Sequence, residues 1–155
     1  MPFELRVSTQ ALVTMDFHSH LSHVEVIGFL AGSWDPEARV LVAEDAYPCR
    51  ALDNAHNVAA AAVAGETDAD QNRETNVEMD PTSEMEVRAE ILEQGLMIVG
   101  WYHSHPVFEA SPSVRDIENQ RNYQKLFQCE RTQLNPFVGA IICTFITLFH
   151  SVKKK

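Results

Sequence analysis

The sequence predicts one folded α/β unit, and three observations carry the prediction. A β-rich stretch turns back on itself at Asp35-Pro36, apolar residues recur at helical spacing on either side of it, and a nearly continuous apolar run spans 96–103. A chain of 155 residues, 45% of them hydrophobic, can bury one sizeable core.

Taken in order, Ser8 and Thr9 open a stretch in which Leu12, Met15 and Leu21 are spaced to share a helix face, so a helix is predicted over 9–22. Val24 to Trp34 is β-rich and returns after the turn into Arg39 to Ala46, an antiparallel hairpin. From 53 to 75 the composition shifts to Ala, Asp, Glu and Asn without an aromatic residue, which predicts a flexible insertion. Asp80 then reads as an N-cap before Pro81, opening a helix over 81–94 with Met85, Ala89, Leu92 and Leu96 at helical spacing. The run Leu96 to His103 has strand length and should be central, delivering its C-terminal end to a cleft. Ser111-Pro112-Ser113 starts a third helix to about 128, and 137–147 closes the unit as a strand or a pair of strands. The unit is read as 1–150, followed by a basic tail at 151–155.

Twelve Lys and Arg against 22 Asp and Glu leave a net charge of −10, which argues against a phosphate-tracking nucleic-acid surface. Cys49, Cys129 and Cys143 form no Cys-x-x-Cys pair, so neither a disulfide framework nor a thiolate zinc cluster is indicated and a reducing, intracellular compartment is expected. No stretch reaches the ~20 apolar residues of a membrane span, so no membrane partner is expected.

The chemistry concentrates where the apolar run ends. His103 and His105 are two apart, so a strand sends both imidazoles to one face and Ser104 to the other. Ser113 and Asp116 are three apart at a helix start, which sets hydroxyl and carboxylate on one side. Two histidines and a carboxylate are a three-ligand set that leaves zinc a position for water, whose pKa zinc brings to about 7. One zinc per chain is expected, held by His103, His105 and Asp116. Glu25 lies within an apolar segment where an acid has no packing reason to be, and is the candidate general base. Each feature alone has a structural explanation: a core His pair, a helix cap, an edge-strand charge. Their joint spacing separates them from that background. His18, His20 and His23 form a second cluster, but His18 and His20 would point about 200° apart on a helix. With no acid or thiol at useful spacing, they read as surface histidines.

The pattern of an upstream Glu followed by H-x-H-x₇-S-x-x-D, met here by Glu25, His103, His105, Ser113 and Asp116, resembles the JAMM motif of the MPN+ metalloprotease family. The resemblance runs from about Phe3 to Cys143. The stretches 78–81 and 100–120 look most like the subgroup that includes a Myb/SWIRM-containing histone deubiquitinase and the MPN-domain-containing protein. It implies an MPN (JAB1/MPN/Mov34-type) domain, a mixed, mostly antiparallel sheet flanked by helices. It implies zinc on His103, His105 and Asp116, a general base at Glu25, and oxyanion support from Ser113. The family's further strands and C-terminal helix have no counterpart after His150, so the C-terminal part reads as truncated.

The function expected is a zinc-dependent isopeptidase acting on ubiquitin or ubiquitin-like conjugates, with ubiquitin or a ubiquitinated protein as partner. Its substrate tail would lie extended beside the His103–His105 strand by strand addition. A nuclear location and chromatin targets follow from the resemblance alone. Two other readings stay open: a non-catalytic MPN scaffold with protein partners, and a metallopeptidase for another protein substrate.

Overall fold

A computed structural model describes residues 2–52, 77–107 and 109–144. The insertion read at 53–75, the reading of a truncated end, and the tail at 151–155 lie outside the described residues. Within them the chain runs β1 (Glu4–Val7), α1 (Thr9–His20), β2 (Ile27–Asp35), β3 (Val40–Cys49), α2 (Pro81–Glu93), β4 (Met97–His105), α3 (Val114–Leu126) and β5 (Val138–Cys143). The strands form one mixed sheet in the order β1-β3-β2-β4-β5. Its two central ladders, β3 to β2 and β2 to β4, are antiparallel, and the outer pairs β1 to β3 and β4 to β5 are parallel. The parallel β5 is reached through α3, as the geometry of a parallel neighbour requires.

The hairpin forms as expected around Asp35, whose Oδ1 accepts from the N–H groups of Glu37 and Ala38 and holds the turn. The helix starts also behave as read. Ser8 caps α1 by accepting from Ala11 N–H, and Asp80 caps α2 by accepting from Ser83 N–H, with Pro81 in the first helical position. β4 is central and continues to His105, where Pro106 stops it.

Three expectations fail. The buried face of α2 is Ser83, Val87 and Ile91, while Met85 and Leu92 are 73% and 75% exposed. In α1 the buried stripe is Ala11, Met15 and Ser19, and Leu12 and Leu21 face outward. Both stripes run i, i+4, i+8 and include small side chains, which let each helix lie close to the sheet. Glu25 precedes β2 instead of lying within it.

Two cores fill the two faces of the sheet. Phe29, Val87, Ile91, Trp101 and Phe137 pack with Tyr123 and Phe127 on the α2 and α3 side. Ala11, Met15, Leu30, Leu41, Val99 and Tyr102 pack on the α1 side. A register shift makes Val99 the extra residue of β4 opposite Leu30 and Ala31. Beyond it, strict alternation sends Trp101, His103 and His105 to the α3 face and Tyr102 and Ser104 to the other. The functional end of β4 is thereby aimed. Among the described residues no helix is long and apolar enough to cross a membrane.

Candidate metal centre

Period-two alternation brings His103 and His105 to one face of β4, both buried, with their Nε2 atoms 3.0 Å apart. The first turn of α3 faces them. Asp116 Oδ1 lies 3.3 Å from His103 Nε2, and Asp116 Oδ2 lies 3.9 Å from His105 Nε2. One ligand atom from each of the three residues falls within 4.8 Å of the others.

The set fits a zinc ion by its donor chemistry. His105 Nδ1 sits 2.8 Å from the carbonyl oxygen of Glu109. A carbonyl only accepts, so Nδ1 carries the proton and Nε2 turns a lone pair inward. His103 Nε2 points at the same spot. Burial pulls the His103 pKa down to about 4, against the opposing pull of Asp116, so this imidazole is neutral near pH 7. Two imidazole nitrogens and a carboxylate converging out of water are satisfied by a cation. Two ligands of a tetrahedral zinc at about 2.0–2.1 Å stand roughly 3.3 Å apart, and the observed separations of 3.0, 3.3 and 3.9 Å bracket that spacing.

The carboxylate is held by its own helix start. Ser113 is the N-cap of α3, its Oγ accepting from Asp116 N–H at 3.1 Å. The Ser113 N–H donates back to Asp116 Oδ2 at 2.7 Å, a reciprocal capping box. The cap and the ligand are thus parts of one local structure.

Glu25 faces the cluster from the other side. Ser104 N–H donates to the carbonyl of Val26 at 3.0 Å, which extends the β2 to β4 ladder past Ile27 and His103 and sets Glu25 opposite His105. Glu25 Oε1 is 3.8 Å from His105 Nε2, and its Oε2 accepts from Val77 N–H at 3.3 Å. Burial pushes its pKa up to about 7. The Val77 hydrogen bond opposes the rise and the charge of Asp116 adds to it.

All five residues read from the sequence therefore come together, and several supports were missed. Ser104, 0% exposed, accepts from Val26 N–H through its Oγ at 2.9 Å and fixes the segment that carries Glu25. Trp101 stacks on His103 with ring centroids 4.7 Å apart, and its indole N–H donates to Gln120, which donates in turn to the Phe137 carbonyl. The placement of Ser104 between two ligand histidines was a usable signal; the Val77 and Glu109 backbone contacts left none. His18 is a correction. It is half-buried, with Nδ1 2.8 Å from the Tyr102 hydroxyl, while His20 and His23 are exposed as expected. Strand addition directly onto β4 at His103 and His105 is excluded, because β2 and β5 occupy both edges of β4 there. Next to the site lies instead a groove of about 280 Å³, between residues 77–79 and α3, lined by Ile27, Met79, Trp101 and Tyr123 among others.

Comparisons with known proteins agree with this geometry. A family model described as "JAB1/Mov34/MPN/PAD-1 ubiquitin protease" matches residues 5–129. The chain is 36% identical over 141 residues to the histone deubiquitinase MYSM1 of Branchiostoma floridae, covering 91% of this chain and 15% of that protein. It is 35% identical over 142 residues to "MPN domain-containing protein" of Danio rerio, covering 92% and 26%. The chain thus spans about a quarter or less of the length of these relatives. The solution structure of protein DSY2949 from Desulfitobacterium hafniense shares the fold, with a TM-score of 0.55 at 22% identity over 74% of this chain and 65% of that one. With most of its length matched and the His-x-His and Asp triad assembled at the end of β4, the chain belongs to the JAB1/Mov34/MPN/PAD-1 family.

Proposed function

We propose that the chain is a zinc-dependent isopeptidase that cuts the bond between the C-terminus of ubiquitin, or a ubiquitin-like protein, and a lysine amine. The observation that carries this reading is the position of Glu25, a buried carboxylate standing 3.8 Å from His105 beside a three-residue ligand set. His103, His105 and Asp116 would hold the zinc. When bound, the ion supplies Lewis acidity and lowers the pKa of a water to about 7.

The chain's own residues do the rest. A carboxylate beside the ligand set can both take and give a proton, so Glu25 removes the proton of the attacking water and hands it to the leaving amine. Ser113 Oγ spends a lone pair on Asp116 N–H, which leaves its hydroxyl hydrogen to donate to the oxygen of the tetrahedral intermediate. Ser104 keeps Glu25 in register, and Trp101 with Gln120 keeps His103 from turning. The extended tail of the substrate would lie in the groove between 77–79 and α3. By likeness to a relative named as a histone deubiquitinase, the target would be a ubiquitinated chromatin protein in the nucleus.

The test is metal content measured together with cleavage of a ubiquitin-lysine isopeptide substrate. The proposal expects about one zinc per chain and cleavage that a chelator abolishes and added zinc restores. Folded, zinc-loaded protein that is inert on ubiquitin conjugates would replace this reading with that of a scaffold.

A further inference from the structure

The groove beside the metal centre separates two halves of the proposed machinery. On one side, Val77 N–H holds Glu25 Oε2, and the adjacent Glu78 is stitched to the segment that follows β3, its carbonyl accepting from Leu52 N–H at 2.7 Å. On the other side stands α3, which carries Asp116 in its first turn and has no fully buried residue. Arg115, next to Asp116, reaches across and donates from Nη2 to Glu78 Oε1. Both partners line the groove and are about half exposed.

We propose that the Glu78 and Arg115 ion pair is a positioning device, which ties the Val77 tether of Glu25 to the turn that presents Asp116 and so sets the separation of base and ligand set. The kinetic part of this inference rests on the isopeptidase reading; the structural part does not. Glu78 acts through Val77 and Glu25, and Arg115 through Asp116. A half-exposed pair stabilises weakly, so its rupture shifts geometry without unfolding the domain.

The experiment uses the zinc-loaded full chain and the variants Glu78→Gln, Arg115→Gln, the double variant, and Arg115→Lys. Amide exchange at Val77 is followed by NMR, alongside zinc content, kcat and KM on a ubiquitin isopeptide substrate. Exchange at Val77 is expected to accelerate in both single Gln variants, with zinc retained. The kcat should fall about two- to fivefold with KM changed by less than about twofold. Since the pair acts as a unit, the double variant should be no worse than either single one. Arg115→Lys, which keeps the cation, should recover much of the loss. Unchanged exchange at Val77 overturns the proposal. So do losses that multiply in the double variant, or a rise in KM alone, which would make these residues substrate contacts. If the parent proves inert, the isopeptidase reading fails while exchange at Val77 still decides the tie: faster exchange supports it and unchanged exchange overturns it.

Discussion

Ser113 and Asp116 hold each other. The Asp116 N–H donates to Ser113 Oγ at 3.1 Å while the Ser113 N–H donates to Asp116 Oδ2 at 2.7 Å, so the helix cap also aims a metal ligand. The two functions come apart on mutation. Asp116→Ala should abolish most zinc binding and also weaken the start of α3. Ser113→Ala should keep zinc, because the backbone N–H that orients Asp116 remains. Its metal-free form should lose about 0.5–2 kcal/mol from the missing cap. Thermal unfolding of metal-free protein and zinc analysis check both statements, and zinc loss in Ser113→Ala would contradict them.

The metal-free protein should show two opposed pH dependences. Glu25 has its folded pKa raised from 4.5 to about 7, so the native state keeps a proton that the unfolded chain releases, and this contribution falls as pH rises through that window. His103 has its folded pKa lowered from 6.5 to about 4, so the unfolded chain holds the extra proton and stability rises with pH between those values. The slopes oppose each other between about pH 4.5 and 6.5. Glu25→Gln should therefore expose a rising limb in denaturant unfolding of the metal-free protein, and should be more stable than the parent above about pH 7. Equal slopes in parent and variant across that interval would contradict the assignment.

Ser104→Ala removes the acceptor of the Val26 N–H next to Glu25. An unpaired buried donor costs about 1–3 kcal/mol, and the loosened segment should slow turnover while both histidines still bind metal. Denaturant unfolding together with zinc content and kcat checks this. Turnover equal to the parent's would mean that Ser104 only stabilises.

Much of this was legible in the sequence because it is local. The hairpin at Asp35, the Asp80 and Pro81 helix start, the apolar length of β4 and the ligand spacing all follow from neighbours along the chain. The helix faces depart from the expectation for one reason: side-chain size does not decide burial here. Met85 and Leu92 looked like the core side of α2, yet the sheet takes Ser83, whose Oγ accepts from Arg50 N–H and admits the helix closely. β1 went unseen because its four residues, Glu4 to Val7, include two charges and pair in parallel with the distant β3. His18 leaves the surface through a partner, Tyr102, that is 84 residues away and outside any local pattern. The Val77 and Glu109 contacts to the site use backbone atoms, which no side-chain pattern announces.

The most direct test of the account compares the parent with Glu25→Gln at equal zinc loading on a ubiquitin isopeptide substrate. Glutamine keeps the shape of Glu25 and a hydrogen-bonding oxygen for Val77 but loses the basic site. The variant should bind zinc as the parent does and show little change in KM. Its kcat should fall by at least the ~10²-fold typical of a positioned base. Cleavage by Glu25→Gln as fast as by the parent would contradict the assignment of Glu25, and with it the proposed proton transfer.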